Sequence, residues 1–85
     1  MKKGYNSDIF VQGIAYHVQT EDFGDVYSYI VTKVFKSGTV VKSYKKTYGE
    51  IFHQSPNSDS QMLVNAMRSQ HREILDQLNS GKLIP

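Results

Sequence analysis

The sequence predicts an α+β domain: an antiparallel sheet of three or four strands, in the order β-β-β-β-α, with one long C-terminal helix packed on one face. Three observations predict it. The first half is dense in β-branched and aromatic residues, a Ser37-Gly38 pair separates two such runs, and apolar residues recur at helical spacing through the last third. At 85 residues the chain builds one core, so a single domain spans 1–85. Within it, 1–7 is expected to be flexible, 8–48 to form the sheet, 49–58 a connector, 59–80 the helix and 81–85 a tail.

The elements follow in order. "DIFVQGIAYHVQT" alternates imperfectly around Gly13. A turn at Gln12-Gly13 folds Ile9–Val11 back on Ile14–Thr20 as a hairpin, and the rival reading is one long bulged strand. "TEDFGD" is a polar, Gly-containing connection. "VYSYIVTKVFK" and "TVVKSYKKTY" flank Ser37-Gly38 and make the strongest hairpin signal in the chain. "GEIFHQSPNSDS" reads as the connector, with Ile51 and Phe52 tucked against the core. Ser58 and Gln61 form an S-x-x-Q capping pattern, and Asp59 favours the positive end of the helix dipole. Leu63, Met67, Ile74, Leu75 and Leu78 then make the apolar stripe, with Ala66 beside it, and Gly81 is the stop.

One helix cannot dry both faces of a sheet, so one face is covered and the other is open or covered by a partner. A two-residue turn at Ser37-Gly38 sets Phe35 opposite Val40, Val34 opposite Val41, Lys33 opposite Lys42, Val31 opposite Tyr44 and Tyr29 opposite Lys46. Alternation then puts Ile30, Thr32, Val34, Val41 and Ser43 on one face. Tyr27, Tyr29, Val31, Lys33, Phe35, Val40, Lys42, Tyr44, Lys46 and Tyr48 share the other, with Tyr27, Tyr29, Lys33, Lys42, Tyr44 and Lys46 as its possible binding residues. The aliphatic face suits the helix, because an unpaired buried ammonium is costly. The tyrosine–lysine face is the candidate binding surface, and a one-residue register change would exchange the two.

Ten Lys and Arg against eight Asp and Glu leave a net charge of +2, too small to imply nucleic acid by itself. The lysines cluster at Lys33, Lys36, Lys42, Lys45 and Lys46. There is no cysteine, hence no disulfide and no thiolate metal site. "MKKGYNSD" leads into no apolar h-region, and no apolar run approaches the roughly 20 residues that span a bilayer. The expectation is a cytoplasmic, soluble chain without membrane contact.

"YHVQTEDFGD", Tyr16 to Asp25, is the one place where a histidine meets several acids. On a strand, His17 and Glu21 lie about 13 Å apart, beyond hydrogen-bond reach. Asp22 and Asp25 bracket Phe23-Gly24 as turn residues that bond local backbone N–H groups. His17, His53 and His71 fall on a strand, a connector and a helix without ligand spacing, and His71, beside Arg72 and Glu73, reads as lying on or near the helix surface. No phosphate-cradling loop, nucleophile elbow or calcium loop is present. No catalytic, metal or cofactor residue is therefore assigned.

"YHVQTED", the Gly-containing loop, the hairpin and a helix carrying "SQHREILDQL…SGKL" together resemble a small bacterial domain of uncharacterised function. The resemblance implies the architecture and attaches no activity. The leading functional expectation is a non-catalytic interaction or accessory module that uses the open face for a protein partner or for self-association. A single-stranded nucleic acid on that face is the alternative. A small enzyme or metal-binding domain using the three histidines with Glu21, Asp22 and Asp25 is the second.

Overall fold

The computed structural model describes residues 4–53 and 60–83. Strands β1 (Gly4–Val11), β2 (Ile14–Asp22), β3 (Tyr29–Lys36) and β4 (Thr39–Thr47) form one antiparallel sheet in the order β1-β2-β3-β4. A short helix α1 (Gly24–Tyr27) links β2 to β3, α2 (Tyr48–Phe52) follows β4, and the long α3 (Ser60–Asn79) packs against β1, β2 and β3. The fold is the α+β arrangement that the pattern predicts. Among the described residues no helix is long and apolar enough to cross a membrane.

Both hairpin turns are built the same way. Gln12 and Gly13 have φ of +52° and +79°, and Ser37 and Gly38 have +52° and +78°. Two successive positive φ values match the twist of the flanking strands, so Gln12-Gly13 closes a hairpin rather than a bulge in one long strand. The second position falls to glycine in each turn, where a Cβ would be strained. β1 also begins earlier than expected: residues 4–7, read as flexible, pair Gly4 with Glu21 through Ser7 with Val18.

The β3–β4 register departs from the expected one. The pair Phe35–Val40 is as predicted, with Lys36–Thr39 next to the turn, but Val34 then pairs with Lys42, leaving Val41 as the extra residue of a β-bulge. From there every pair slips by one: Lys33 meets Ser43, Val31 meets Lys45 and Tyr29 meets Thr47. Because side chains alternate, the slip exchanges the two faces of β4 below the bulge. Tyr27 belongs to α1 rather than to a strand.

The start of the expected connector is ordered as α2. Thr47 accepts the Glu50 N–H at 3.1 Å through its hydroxyl, and the Glu50 carboxylate accepts the Thr47 N–H at 2.9 Å, a reciprocal cap. The cap anticipated at Ser58, with Asp59, lies outside the described residues. At the other end of α3, Lys82 N–H donates to the Gln77 carbonyl and Gly81 N–H to that of Leu78, with Gly81 at φ +78°. These two bonds stop the helix, and Leu83 folds back on the core.

Tyr16, Val18, Val34, Ile74 and Leu78 form the central cluster, and Ile30 and Met67 are fully buried beside them. The predicted floor of Ile30 and Val34 is correct. Val41 is not part of it, being 39% exposed at the bulge, and Leu63 is only half-buried. Ile74→Ala is expected to lower stability by about 2–5 kcal/mol through lost burial and a residual cavity. Val41→Ala should stay within about 0.5 kcal/mol, as at ordinary surface sites. Urea midpoints of the two variants check the assignment, and equal losses would contradict it.

Candidate interaction face

The helix meets the sheet through a polar ladder as well as an apolar core. Gln70 donates through Nε2 to Thr32 Oγ1 at 2.9 Å and to the Tyr44 carbonyl at 3.3 Å. Thr32 and Thr20 hydroxyls lie 2.7 Å apart, Thr20 Oγ1 is 2.7 Å from His71 Nδ1, and His71 Nε2 is 2.8 Å from Ser7 Oγ. The chain closes in one direction when His71 is neutral with its proton on Nε2. Thr32 then donates to Thr20, Thr20 donates to Nδ1, and Nε2–H donates to Ser7.

His71 is thus buried at 7% exposure rather than at the helix surface, and the Tyr5 ring lies 5.8 Å from its own. Burial pushes the His71 pKa below its usual 6.5, and the charge of His17 adds to the shift. Folding therefore favours the neutral ring. Its contribution to stability is fully present above the unfolded value of 6.5 and is lost as pH falls from there through the lower folded value. The urea midpoint should accordingly drop between pH 7.5 and pH 5, and His71→Gln should flatten that drop while lowering stability by about 1–3 kcal/mol through unsatisfied partners. A wild-type midpoint that does not move with pH would contradict the coupling.

The other two histidines occupy unrelated places. His17 lies on the sheet face away from α3, with Nδ1 2.8 Å from Asp8 Oδ1 and Nε2 3.3 Å from Asn6 Oδ1. Asp8 is almost fully exposed, so this pair sits on open strand surface. His53, at the end of α2, donates through Nδ1 to the Glu50 carbonyl at 3.0 Å. Glu21 and Asp22 of the opening cluster are held locally. Asp22 accepts the Gly24 N–H at 2.8 Å and also the Tyr48 hydroxyl, tying the β2–β3 connection to α2. Glu21 accepts from Gln19 at 2.9 Å, and Asp25 falls within α1. Among the described residues no three His, Cys, Asp or Glu side chains group as metal ligands.

The register assigns the open face row by row. Nearest the hairpin turns lie Phe10 and Ala15, then Asp8, His17, Phe35 and Val40, then Asn6, Gln19, Lys33 and Ser43, then Glu21, Val31 and Lys45, with Tyr29 at the far end. Of the residues predicted to share it, Tyr29, Val31, Lys33, Phe35 and Val40 do. Lys42, Tyr44 and Lys46 point to the helix side because of the bulge, and Tyr44 packs against the core. Tyr27 is 64% exposed on α1, its ring 6.0 Å from that of Tyr29.

Phe10 and Lys45 lie on this face outside the predicted set. Phe10 is 76% and Val40 44% exposed, and the Phe35 ring lies 6.0 Å from that of His17. Lys45 holds its ammonium 4.7 Å over the Tyr29 ring, and Phe23 packs on the same tyrosine at 5.4 Å. The charges divide across the face: Asp8 and Glu21 on β1 and β2, Lys33 and Lys45 on β3 and β4. Correct pairing at Phe35–Val40 was the signal for the apolar row. No family model, curated protein or solved structure matches the chain.

Proposed function

We propose that the protein is a non-catalytic interaction module that pairs with a second copy of itself through the open sheet face. The carrying observation is the combination of exposed apolar residues with charges divided across that face. Val40 stands exposed beside Phe35, Phe10 stands exposed across the sheet on β1 at the same end, and α3 lies on the opposite side of the sheet. A two-fold axis parallel to the strands stacks β1–β2 of one copy on β3–β4 of the other. That operation lays each cross-strand row on its own reverse, setting Asp8 over Val40, His17 over Phe35, and Glu21 over Val31 beside Lys45. Two sheets packed this way lie about 10 Å apart with aligned strands.

A second reading draws on Phe23, Tyr27 and Tyr29 with Lys33 and Lys45, rings and cations of the kind that hold single-stranded nucleic acid. The catalytic reading has less behind it. Its nearest His–carboxylate pair, His17 with Asp8, is on an open strand rather than in a cleft.

Solution mass measured over a concentration series tests the proposal. The native chain should shift from monomer to dimer. Phe10→Asp combined with Val40→Asp should remain monomeric, and Val26→Asp, an 83% exposed site on α1 at the far end of the sheet, should dimerise normally. A chain that stays monomeric to millimolar concentration sinks self-pairing. If it instead binds a labelled oligonucleotide with affinity falling steeply in salt, the face belongs to nucleic acid.

A further inference from the structure

The edge of the sheet offers a different surface, independent of the open face. β4 pairs with β3 along one side, and among the described residues no strand occupies the other. Of its nine residues all but Tyr44 are exposed. An edge of this length presents a row of outward backbone N–H and C=O groups, a template on which another extended chain can pair.

Charge narrows what can pair there. Lys42, Lys45 and Lys46 lie on β4, with Lys36 just before the turn. The nearest acid along the chain, Glu50, is already engaged by the Thr47 N–H and hydroxyl, and those bonds hold its carboxyl below the usual range. A second β4 laid against this edge would set lysine against lysine, which is unfavourable between neighbouring strands. Lysines on an edge thus exclude copies of themselves but leave an acidic strand welcome.

The flank of the edge supplies a third constraint. α3 covers β1, β2 and β3 and reaches β4 where Gln70 donates to the Tyr44 carbonyl, and the short α2 stands against the end of β4. Beside Lys46, on the helix side, an open depression of about 400 Å³ is lined by Ile51, Met62 and Ala66 among others. Side chains of an added strand alternate. One set would meet Lys42, Lys46 and this depression, and the other set Lys45.

We propose that β4 is a docking edge on which an extended acidic segment of a partner protein adds as a fifth strand. Its backbone supplies the ladder of hydrogen bonds, its carboxylates meet Lys42, Lys45 and Lys46, and an apolar side chain occupies the depression between α2 and α3. This goes beyond self-pairing, which uses the opposite surface of β3 and β4 and leaves the edge open.

The test uses the full chain labelled with nitrogen-15 and a nine-residue capped peptide alternating Glu with Val, at low salt. Binding should slow hydrogen exchange at β4 amides and concentrate shift changes on Thr39–Thr47. Two control peptides should fail: one N-methylated at three consecutive central residues, which keeps the charge and removes the backbone donors, and one with Lys in place of Glu. The variant Lys42→Glu, Lys45→Glu, Lys46→Glu should bind the Glu peptide about ten- to a hundred-fold more weakly, as three surface ion pairs of ordinary strength imply. The same variant should gain the Lys peptide, which shows that it is folded and that charge selects the strand. The proposal is overturned if the N-methylated peptide binds equally well, if shifts fall on Phe35, Val40 and Tyr29, or if no β4 amide is protected at millimolar peptide. Repeating the titration on the Phe10→Asp, Val40→Asp variant separates the two readings, because edge binding should persist where face pairing is lost.

Discussion

The polar ladder from Gln70 through Thr32, Thr20 and His71 to Ser7 decides how the helix sits on the sheet. Apolar contacts are non-directional and would tolerate α3 sliding along its stripe. Hydrogen bonds of 2.7–2.9 Å between buried groups do not, because each lost partner leaves a desolvated donor or acceptor. The ladder crosses β1, β2 and β3, so one pair of adjacent helical residues registers three strands at once. Met67 lies on one side of this polar band and Ile74 with Leu78 on the other, all three buried. In a chain of this length without cross-links, a fully satisfied network specifies a single packing that a short apolar stripe leaves underdetermined.

The bulge at Val41 is the second constraint, and it governs the surface as the ladder governs the core. One unpaired residue moves Lys42 and Lys46 to the helix side and Lys45 to the open face. Without it, Lys42, Lys46 and Tyr44 would share the open face with Lys33 and Tyr29. With it, the open face balances Lys33 and Lys45 against Asp8 and Glu21, and the remaining lysines are left along the edge. A balanced face can pack against its own copy, whereas a wholly basic one repels it. Surface chemistry on both sides of β4 therefore follows from a single backbone irregularity.

Much of the architecture was legible because it depends on local rules. Two-residue loops ending in glycine mark hairpins, and both Gln12-Gly13 and Ser37-Gly38 take the positive φ pair that such loops require. The inward set on β2 and β3, Val18 and Thr20 with Ile30, Thr32 and Val34, follows from strict alternation once the turns are placed. The spacing of Met67, Ile74 and Leu78 and the Gly81 stop identify the helix and its buried side in the same way.

The sequence by itself thus determined an antiparallel sheet followed by a long helix, the Ser37-Gly38 turn, the Ile30 and Val34 floor and the apolar stripe of α3, since each is encoded within a few neighbouring residues. The choice between a hairpin and a bulge at Gln12-Gly13 was settled by the structure. Only the tertiary structure decided the facing of β4, the burial of His71 and the ordering of α2. "TVVKSYKK" satisfies the strand pattern in either register, and the bulge arises from pairing with β3 rather than from any residue that demands it. His71 stands between a glutamine and an arginine in sequence, and turns inward only because Thr20 and Ser7, 51 and 64 residues away, meet both ring nitrogens. α2 combines a local Thr47–Glu50 cap with the hydroxyl of Tyr48 reaching Asp22 across the fold. Pairings between distant segments have no signature in the segments themselves, because the free energy that selects them exists only once both are in place.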